Sequence, residues 1–327
     1  MSDSRIAVLV PGKIHPRVLE RLGKQFDIVS VERDGGPKVD VEIAACIRGV
    51  AVSGGFDAAW IDAFPNVEVI ANFGVGYDGI DVTHAASKGI VVTNTPDVLN
   101  DEVADTAIAL LLNTLRQFPK AETWLREGRW TKEGAFPLSP FSIKGRRVGI
   151  YGLGRIGLEI ARRLEPFKVK IGYHTRSPRD SLPYDYYPTL KEMAQSVDTL
   201  ISIVPKTPET HKVINAEILS ALGPQGVFIN VGRGWSVDDD ALIAALGNGT
   251  LGAAGLDVFY DEPNVPAGYL SLPNVSLLPH VASASVPTRN AMADLVSDNI
   301  IEWFAKGRPV TPVPETPVSE TRVRPRG

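Results

Sequence analysis

A glycine-rich turn set between a strand and a helix constrains this chain more than any other feature. Residues Arg147-Val-Gly-Ile-Tyr-Gly-Leu-Gly-Arg-Ile-Gly157 carry the pattern G-x-G-x-x-G. The residues before it read as a buried strand, and Ile156, Ile160 and Leu164 recur on one face of the helix that follows. That context gives the pattern its weight, because the three glycines alone recur by chance. Gly152 permits the tight turn, Gly154 lets a pyrophosphate approach bare backbone, and Gly157 lets the helix pack closely on the sheet. Leu153 sits inside the turn, and the amides of Arg155 and Ile156 point toward phosphate from the helix N-terminus. The alternative is a glycine turn needed for packing alone.

Around this turn the chain alternates short apolar runs with amphipathic ones. Strands are expected over 6–10, 27–31, 50–53, 67–71 and 90–93, with helices near 16–23, 41–48 and 82–88. A second series of strands is expected over 147–151, 169–173, 199–204, 227–231, 253–258 and 275–278. Such alternation predicts parallel, doubly wound α/β sheets, and six strands suit a dinucleotide-binding domain. Between the series lies a long helix over 103–115, with Asn100 as its cap and Asp101 and Glu102 at the positive end of its dipole. The segment 128–145 holds Trp130 with two prolines and reads as a loop. A last helix over 286–304 has no strand to follow and can return to the first domain. From Arg308 on, five prolines and no apolar run longer than one residue predict an extended or disordered tail.

Composition removes several function classes. A chain of 327 residues has room for roughly two domains. Its net charge of −4 gives no broad positive field for nucleic acid or an anionic membrane. The single cysteine, Cys46, excludes an intramolecular disulfide and a multi-cysteine zinc site, and no metal is expected. No apolar stretch is long enough to cross a bilayer and no secretory leader is visible, so a cytoplasmic location is expected.

The end of the second strand of the later series distinguishes the nicotinamide cofactors. An acidic residue there would hold the ribose 2′-hydroxyl of NAD. This chain has His174 at that place, followed by Thr175, Arg176 and Ser177. Arg176 can bind a 2′-phosphate bidentately while the two hydroxyls donate to it, so NADP (NADPH) is expected, with NAD binding more weakly. A solvated surface arginine beside an incidental histidine is the alternative.

Ligands of open α/β sheets bind beyond the carboxyl ends of the strands. Three successive strands run there into Gly232-Arg233-Gly234, Asp261-Glu262-Pro263 and Pro279-His280. Hydride addition to a carbonyl builds negative charge on oxygen, which calls for a proton donor such as His280. A neighbouring carboxylate, Glu262, would fix its tautomer, and the Arg233 guanidinium would grip a carboxylate and polarise the adjacent oxo oxygen. Taken singly, a capping histidine, a solvated glutamate and an arginine paired with Asp257 would explain the three residues without chemistry. Three such residues at one topological position point to catalysis.

At this point the chain resembles the D-isomer-specific 2-hydroxyacid dehydrogenases, over about residues 50–299. The motifs are Asn72-Phe-Gly-Val-Gly-Tyr-Asp-Gly-Ile-Asp81, Gly89-Ile-Val-Val-Thr-Asn-Thr-Pro96, Val103-Ala-Asp-Thr106, the glycine turn, Val204-Pro-Lys-Thr-Pro-Glu-Thr210, Asn230-Val-Gly-Arg-Gly234, Leu256-Asp-Val-Phe-Tyr-Asp-Glu-Pro263 and Pro279-His280. The resemblance implies that Arg233, Glu262 and His280 are catalytic. It places Asp257, Val231, Gly232 and Ser283 near the nicotinamide, Val204, Pro205 and Thr210 beside the adenosine, and Thr106 against the cofactor. It assigns the substrate carboxylate to the amides of Val75 and Gly76 and the turn Ser53-Gly54-Gly55, together with Arg233 and His280.

Within the family the chain is most similar to the glyoxylate, hydroxypyruvate and hydroxyphenylpyruvate reductases. Asp105 stands where glutamate is more frequent, which puts its contact in question, and Lys206 stands where leucine is common. The implied architecture is two doubly wound parallel-sheet domains with a cleft between them. A Rossmann-type cofactor domain would span 99–285, and a flavodoxin-like substrate domain would be built from 1–98 and 286–327. A homodimer is implied, with Trp130 either reaching the partner's active site or packed in its own loop. The expected activity is NADPH-dependent reduction of small 2-oxo acids. The alternatives are an NAD-linked D-2-hydroxyacid or phosphoglycerate dehydrogenase, or a dinucleotide-sensing, corepressor-like interaction protein.

Overall fold

The computed structural model describes residues 5–179 and 181–316. It separates into two compact units, one from the described parts of Met1–Leu99 and Ser285–Gly327, the other from Asn100–Ala284.

In the first unit the strands are β1 (Ala7–Pro11), β2 (Asp27–Val31), β3 (Ile47–Val52), β4 (Val69–Asn72) and β5 (Val91–Thr93). They pair in parallel in the order β2-β1-β3-β4-β5. β1, β3 and β4 are apolar almost throughout and buried, as a sheet covered on both faces requires. Val8, Val10, Val69 and Ala71 face Ala293, Val296, Ile300 and Trp303 of the helix Val286–Lys306. Ser285 caps that helix by accepting from the Thr288 amide, and Gly307 ends it at φ 71°.

The chain beyond that helix departs from the expected loose tail as far as it is described. The amides of Val310 and Thr311 donate to the buried Asn299 side chain at 2.9 and 2.8 Å. Pro312 bridges Thr93 at the sheet edge and Val313 is 2% exposed, so single apolar residues suffice to dock this stretch. Residues 317–327 of the expected tail lie outside the described residues.

In the second unit the strands are β6 (Arg147–Tyr151), β7 (Lys170–His174), β8 (Asp185–Tyr186), β9 (Thr199–Ser202), β10 (Val227–Asn230), β11 (Ala253–Leu256) and β12 (Val275–Leu277). All seven are parallel, in the order β12-β11-β10-β9-β6-β7-β8. The order reverses between β6 and β9, which is where a doubly wound sheet opens a crevice for its ligand. The two-residue β8 extends the six expected strands; it is too short for a periodicity to reveal.

The long helix begins at Asn100 itself rather than being capped by it, and runs to Arg116. Its buried Val103, Ala107, Leu110 and Leu111 make an apolar stripe. Arg163 of the helix Arg155–Leu164 ties it down, reaching Asp105 at 2.5 Å and Asp101 at 2.7 Å. Asp105 thus reaches Arg163 despite its short side chain. Part of the expected 128–145 loop is helical, at Arg129–Glu133, after a helix Phe118–Arg126. Trp130 is 64% exposed there rather than packed in its own segment.

The long helix approaches β11 closely at Gly255. A Cβ built at that glycine would lie 2.5 Å from Thr114 Oγ1 and 2.9 Å from Leu110 Cγ. Gly255→Ala should therefore cost about 1–3 kcal/mol through overpacking. The check is the urea midpoint, and an unshifted midpoint would contradict this helix seating.

Candidate active site

The carboxyl ends of β6, β7, β9, β10, β11 and β12 carry the predicted strand-end residues of the second unit. In the glycine turn, Gly152 adopts φ 96° and a Cβ there would meet the Ile203 carbonyl at 3.0 Å. A Cβ on Gly157 would lie 2.2 Å from the Gly152 carbonyl. Packing within the chain thus demands both glycines. Gly154 is different, since a Cβ there meets nothing within 4 Å. It caps the helix Arg155–Leu164 without a side chain and leaves open space above the first amides. A cradle that the protein itself has no need to keep bare fits a pyrophosphate.

Val204 and Gly232 line the neighbouring crossings. Gly232 packs so tightly that a Cβ would lie 2.8 Å from the Val204 carbonyl, which seats the loop after β10 against the one after β9. Thr210 is buried and spends its hydroxyl on the carbonyls of Pro205 and Thr207, so it shapes its loop from within. At the end of β7, His174 Nδ1 is 2.9 Å from the Tyr187 carbonyl and its ring stacks on Tyr151. The Thr175 hydroxyl donates to the Ser177 carbonyl at 2.7 Å, which leaves Arg176 and Ser177 as the donors of that turn. Arg176 is exposed and close enough to Glu209 for its charge to help hold that carboxyl below its ordinary range. The Glu209 backbone amide and the Thr207 hydroxyl do more of that work.

The three strand-end residues stand on adjacent strands. His280 Nδ1 lies 2.6 Å from Glu262 Oε2, and the Phe259 amide donates to the other carboxylate oxygen at 3.0 Å. Because a carboxylate only accepts, Nδ1 carries the proton and Nε2 is left for a ligand. Burial pushes the Glu262 carboxyl up, but the His280 hydrogen bond, the Phe259 amide and the charges of His280 and Arg233 outweigh it. The net position is below the usual 4.5. The Arg233 backbone is pinned through its carbonyl, which accepts from the buried Asn230 amide at 3.1 Å and from the Ser236 hydroxyl at 2.9 Å. Gly234 has no alternative residue, since a Cβ would fall 1.9 Å from the Phe259 backbone.

Asp257 does more than its sequence position implied. It is fully buried, and its carbonyl accepts from the His280 amide at 2.9 Å. Its carboxylate oxygens accept from the next two amides, Val281 at 2.7 Å and Ala282 at 3.0 Å. Burial raises its pKa from the usual 3.8, although the two amides and the His280 charge pull the other way. This grip holds His280 at φ 52°, a left-handed conformation that costs a side-chain-bearing residue of order 1–3 kcal/mol. Thr106 of the long helix adds a hydrogen bond to the Ala282 carbonyl at 3.1 Å, just before Ser283. Asn230 was the residue that motif reasoning passed over, although it opens the Asn-Val-Gly-Arg-Gly run.

In the first unit the Val75 and Gly76 turn is held by its carbonyls. Asn72 Nδ2 donates to the carbonyls of Gly74 and Gly76 at 3.1 and 2.9 Å, and Asn94 Nδ2 to that of Val75 at 2.8 Å. Among the described residues, the amides of Val75 and Gly76 make no hydrogen bond to backbone. The turn formed by Ser53, Gly54 and Gly55 follows β3, with Gly54 at φ 100° and both glycines exposed. Among the described residues no group of three or more histidine, cysteine or carboxylate side chains could hold a metal, and no helix is long and apolar enough to cross a membrane.

Residues 108–282 match the family model of the D-isomer specific 2-hydroxyacid dehydrogenase NAD binding domain. The chain is 49% identical to a hydroxyphenylpyruvate reductase of Plectranthus scutellarioides over 83% of its own length and 86% of the relative's. It is 47% identical to a glyoxylate/hydroxypyruvate reductase of Arabidopsis thaliana, over 82% and 85%. Among solved structures it is similar to an NADPH-dependent glyoxylate/hydroxypyruvate reductase of Sinorhizobium meliloti in complex with NADP and malonate. That likeness has 63% identity and a TM-score of 0.95, covering 98% of this chain and all of the other. The chain belongs to the D-isomer specific 2-hydroxyacid dehydrogenases.

Proposed function

We propose that this protein is an NADPH-dependent reductase of small 2-oxo acids such as glyoxylate and hydroxypyruvate. The observation that carries the reading is the His280–Glu262 pair, 2.6 Å apart, with Arg233 on the adjacent strand end. The relatives are reductases of such acids, and the Sinorhizobium enzyme holds NADP and a small dicarboxylate. The unit Asn100–Ala284 is the cofactor unit and the other is the substrate unit.

NADPH, when bound, supplies the hydride. Gly154 and the amides of Arg155 and Ile156 receive its pyrophosphate, and Arg176 with Ser177 receives the 2′-phosphate. The Arg233 guanidinium grips the substrate carboxylate and polarises the oxo oxygen. Within the first unit, the amides of Val75 and Gly76 and of the 53–55 turn are of the kind that binds a carboxylate. As the carbon gains a hydride, His280 in its doubly protonated form delivers its Nε2 proton to the oxygen and ends neutral, with Nδ1–H still on Glu262, which keeps the ring turned so that Nε2 faces the oxygen. Asp257 serves this step by fixing the backbone from His280 to Ala282.

A homodimer and a cytoplasmic location complete the reading. Exposed Leu125, Trp130 and Leu138, at 57%, 64% and 97%, support a partner for this region, and a mass measurement in solution tests it. The single cysteine, Cys46, suits a reducing compartment.

His280→Ala and Arg233→Ala should each lower turnover of glyoxylate by about 10²–10⁴-fold while NADPH still binds, as read by nucleotide fluorescence. Near-normal turnover in both would sink the reading. Arg176→Ala should weaken NADPH about tenfold or more and leave NADH almost unchanged. Equal losses for the two cofactors would refute the phosphate assignment.

Glu262 gives a pH test with a defined sign. Its folded pKa lies below the ordinary 4.5, so its charged form stabilises the fold above that value and the contribution disappears as pH falls below it. Glu262→Gln should therefore lower the urea midpoint at pH 7, and the gap to wild type should close in the acid range below 4.5. A gap that widens on acidification would reverse the assignment.

A further inference from the structure

The first unit has the strand order β2-β1-β3-β4-β5, so its topological switch point lies between β1 and β3. Ligands of such sheets gather beyond the carboxyl ends of the strands at that point. β1 runs there into Gly12, and β3 into the 53–55 turn. The cation at this place comes from neither strand. It is Arg33, just past the end of β2, whose stem passes beside Gly12: a Cβ on that glycine would touch the Arg33 Cβ at 3.6 Å.

The guanidinium crosses the switch point and ends on the glycine turn. Arg33 Nη1 donates to the Ser53 carbonyl at 3.2 Å, and Nη2 donates to the Gly55 carbonyl. The contact is close enough that a Cβ on Gly54 would lie 2.7 Å from Nη1. Drawing the carbonyls of residues 53 and 55 toward one planar fork fixes two peptide planes: that of the Ser53 carbonyl turns the Gly54 amide away from Arg33, and that of the Gly55 carbonyl is held from its other side by the Phe56 amide, which donates to the Gly79 carbonyl at 2.7 Å. The charge also stands within the turn that is to receive an anion. Asp57, which caps the helix Ala58–Asp62, is the carboxylate whose charge acts on Arg33. Its side-chain oxygen already accepts from the Trp60 amide at 3.1 Å.

We propose that Arg33 is a positioning residue for the substrate carboxylate. It holds the 53–55 turn so that the turn's amides meet the anion, and it places a positive charge beside them. This rests on the reading of the protein as a 2-oxo acid reductase. Arg33 acts through the turn, whereas Arg233 and His280 act on the reacting atoms.

The test uses the full chain and two readouts. In steady-state reduction of glyoxylate, Arg33→Ala should raise the KM for glyoxylate about tenfold, with kcat and the KM for NADPH within twofold of wild type. Arg33→Lys keeps the charge but cannot span two carbonyls, so it should fall between the two. Malonate, a non-reacting dicarboxylate, should raise the melting temperature of wild type, and about tenfold more malonate should be needed for the same rise in Arg33→Ala. An unchanged glyoxylate KM together with an unchanged malonate response overturns the proposal. So does a loss confined to kcat, or a Lys variant that behaves as Ala does in a folded protein. Failure of wild type itself to reduce any 2-oxo acid strikes the functional reading instead; a malonate response that depends on Arg33 would then still uphold the anion-positioning role, and its absence would end it.

Discussion

Close approach of backbone to backbone at the carboxyl ends of parallel strands is the constraint on which the site of the second unit depends. Each strand there must hand over to a crossing segment, and the segments have no side chains to separate them. Gly157 lies on the Gly152 carbonyl, Gly232 on Val204, and Gly234 on Phe259. A methyl group at any of these would force neighbouring backbone to shift, most of all at Gly157 and Gly234. Because the loops are wedged together without side chains, Arg233 and the His280–Glu262 pair inherit their positions from the sheet rather than from flexible connections. The bare Gly154 stands out against this background, since packing does not require a glycine there and a phosphate would.

Within that frame the charged groups hold one another in order. Among the described residues, Asp257 is a carboxylate buried without a cationic side chain among its hydrogen-bond partners, a costly arrangement unless its oxygens are satisfied. Two successive amides satisfy them, and those amides belong to the residues just after His280. The cost of burying Asp257 is thereby offset by a backbone conformation that His280 would not adopt alone. The left-handed φ of His280 in turn carries its ring to Glu262, whose second oxygen is held by the Phe259 amide. Buried carboxylate, strained backbone and histidine ring form one mechanical unit, and Thr106 fastens its far end.

Much of this was legible from residue order, for a physical reason. Strands of parallel sheets read as continuous apolar runs, and ligand chemistry must appear where those runs end. That is why Arg233, Glu262 and His280 could be named from spacing, and why the glycine turn could be placed on a strand and a helix. Other elements carry no comparable signal. The two residues of β8 are too few to show a period, and the helix Ala58–Asp62 is a single turn set by an Asp57 cap. Residues 308–316 look featureless because their anchor, Asn299, lies in the preceding helix. Arg33, and the grip of Asp257 on the backbone after His280, were hidden for a related reason, since these roles are hydrogen bonds to main chain, which every residue carries.

The net charge of −4 sharpens what such groups must accomplish. A chain with no overall positive field cannot gather anionic ligands at long range, so recognition must come from cations and amides placed at short distance. The most economical way to strengthen a few amides is to aim their carbonyls at a cation, because the peptide plane then turns the N–H groups outward while the charge stays nearby. Asn72 and Asn94 treat the 74–76 turn in this manner without charge, and Arg33 treats the 53–55 turn with it. Both turns sit at the carboxyl ends of strands in one parallel sheet. The first unit thus presents amides braced from behind by side chains, and the charged brace stands at the switch point where the strand order reverses.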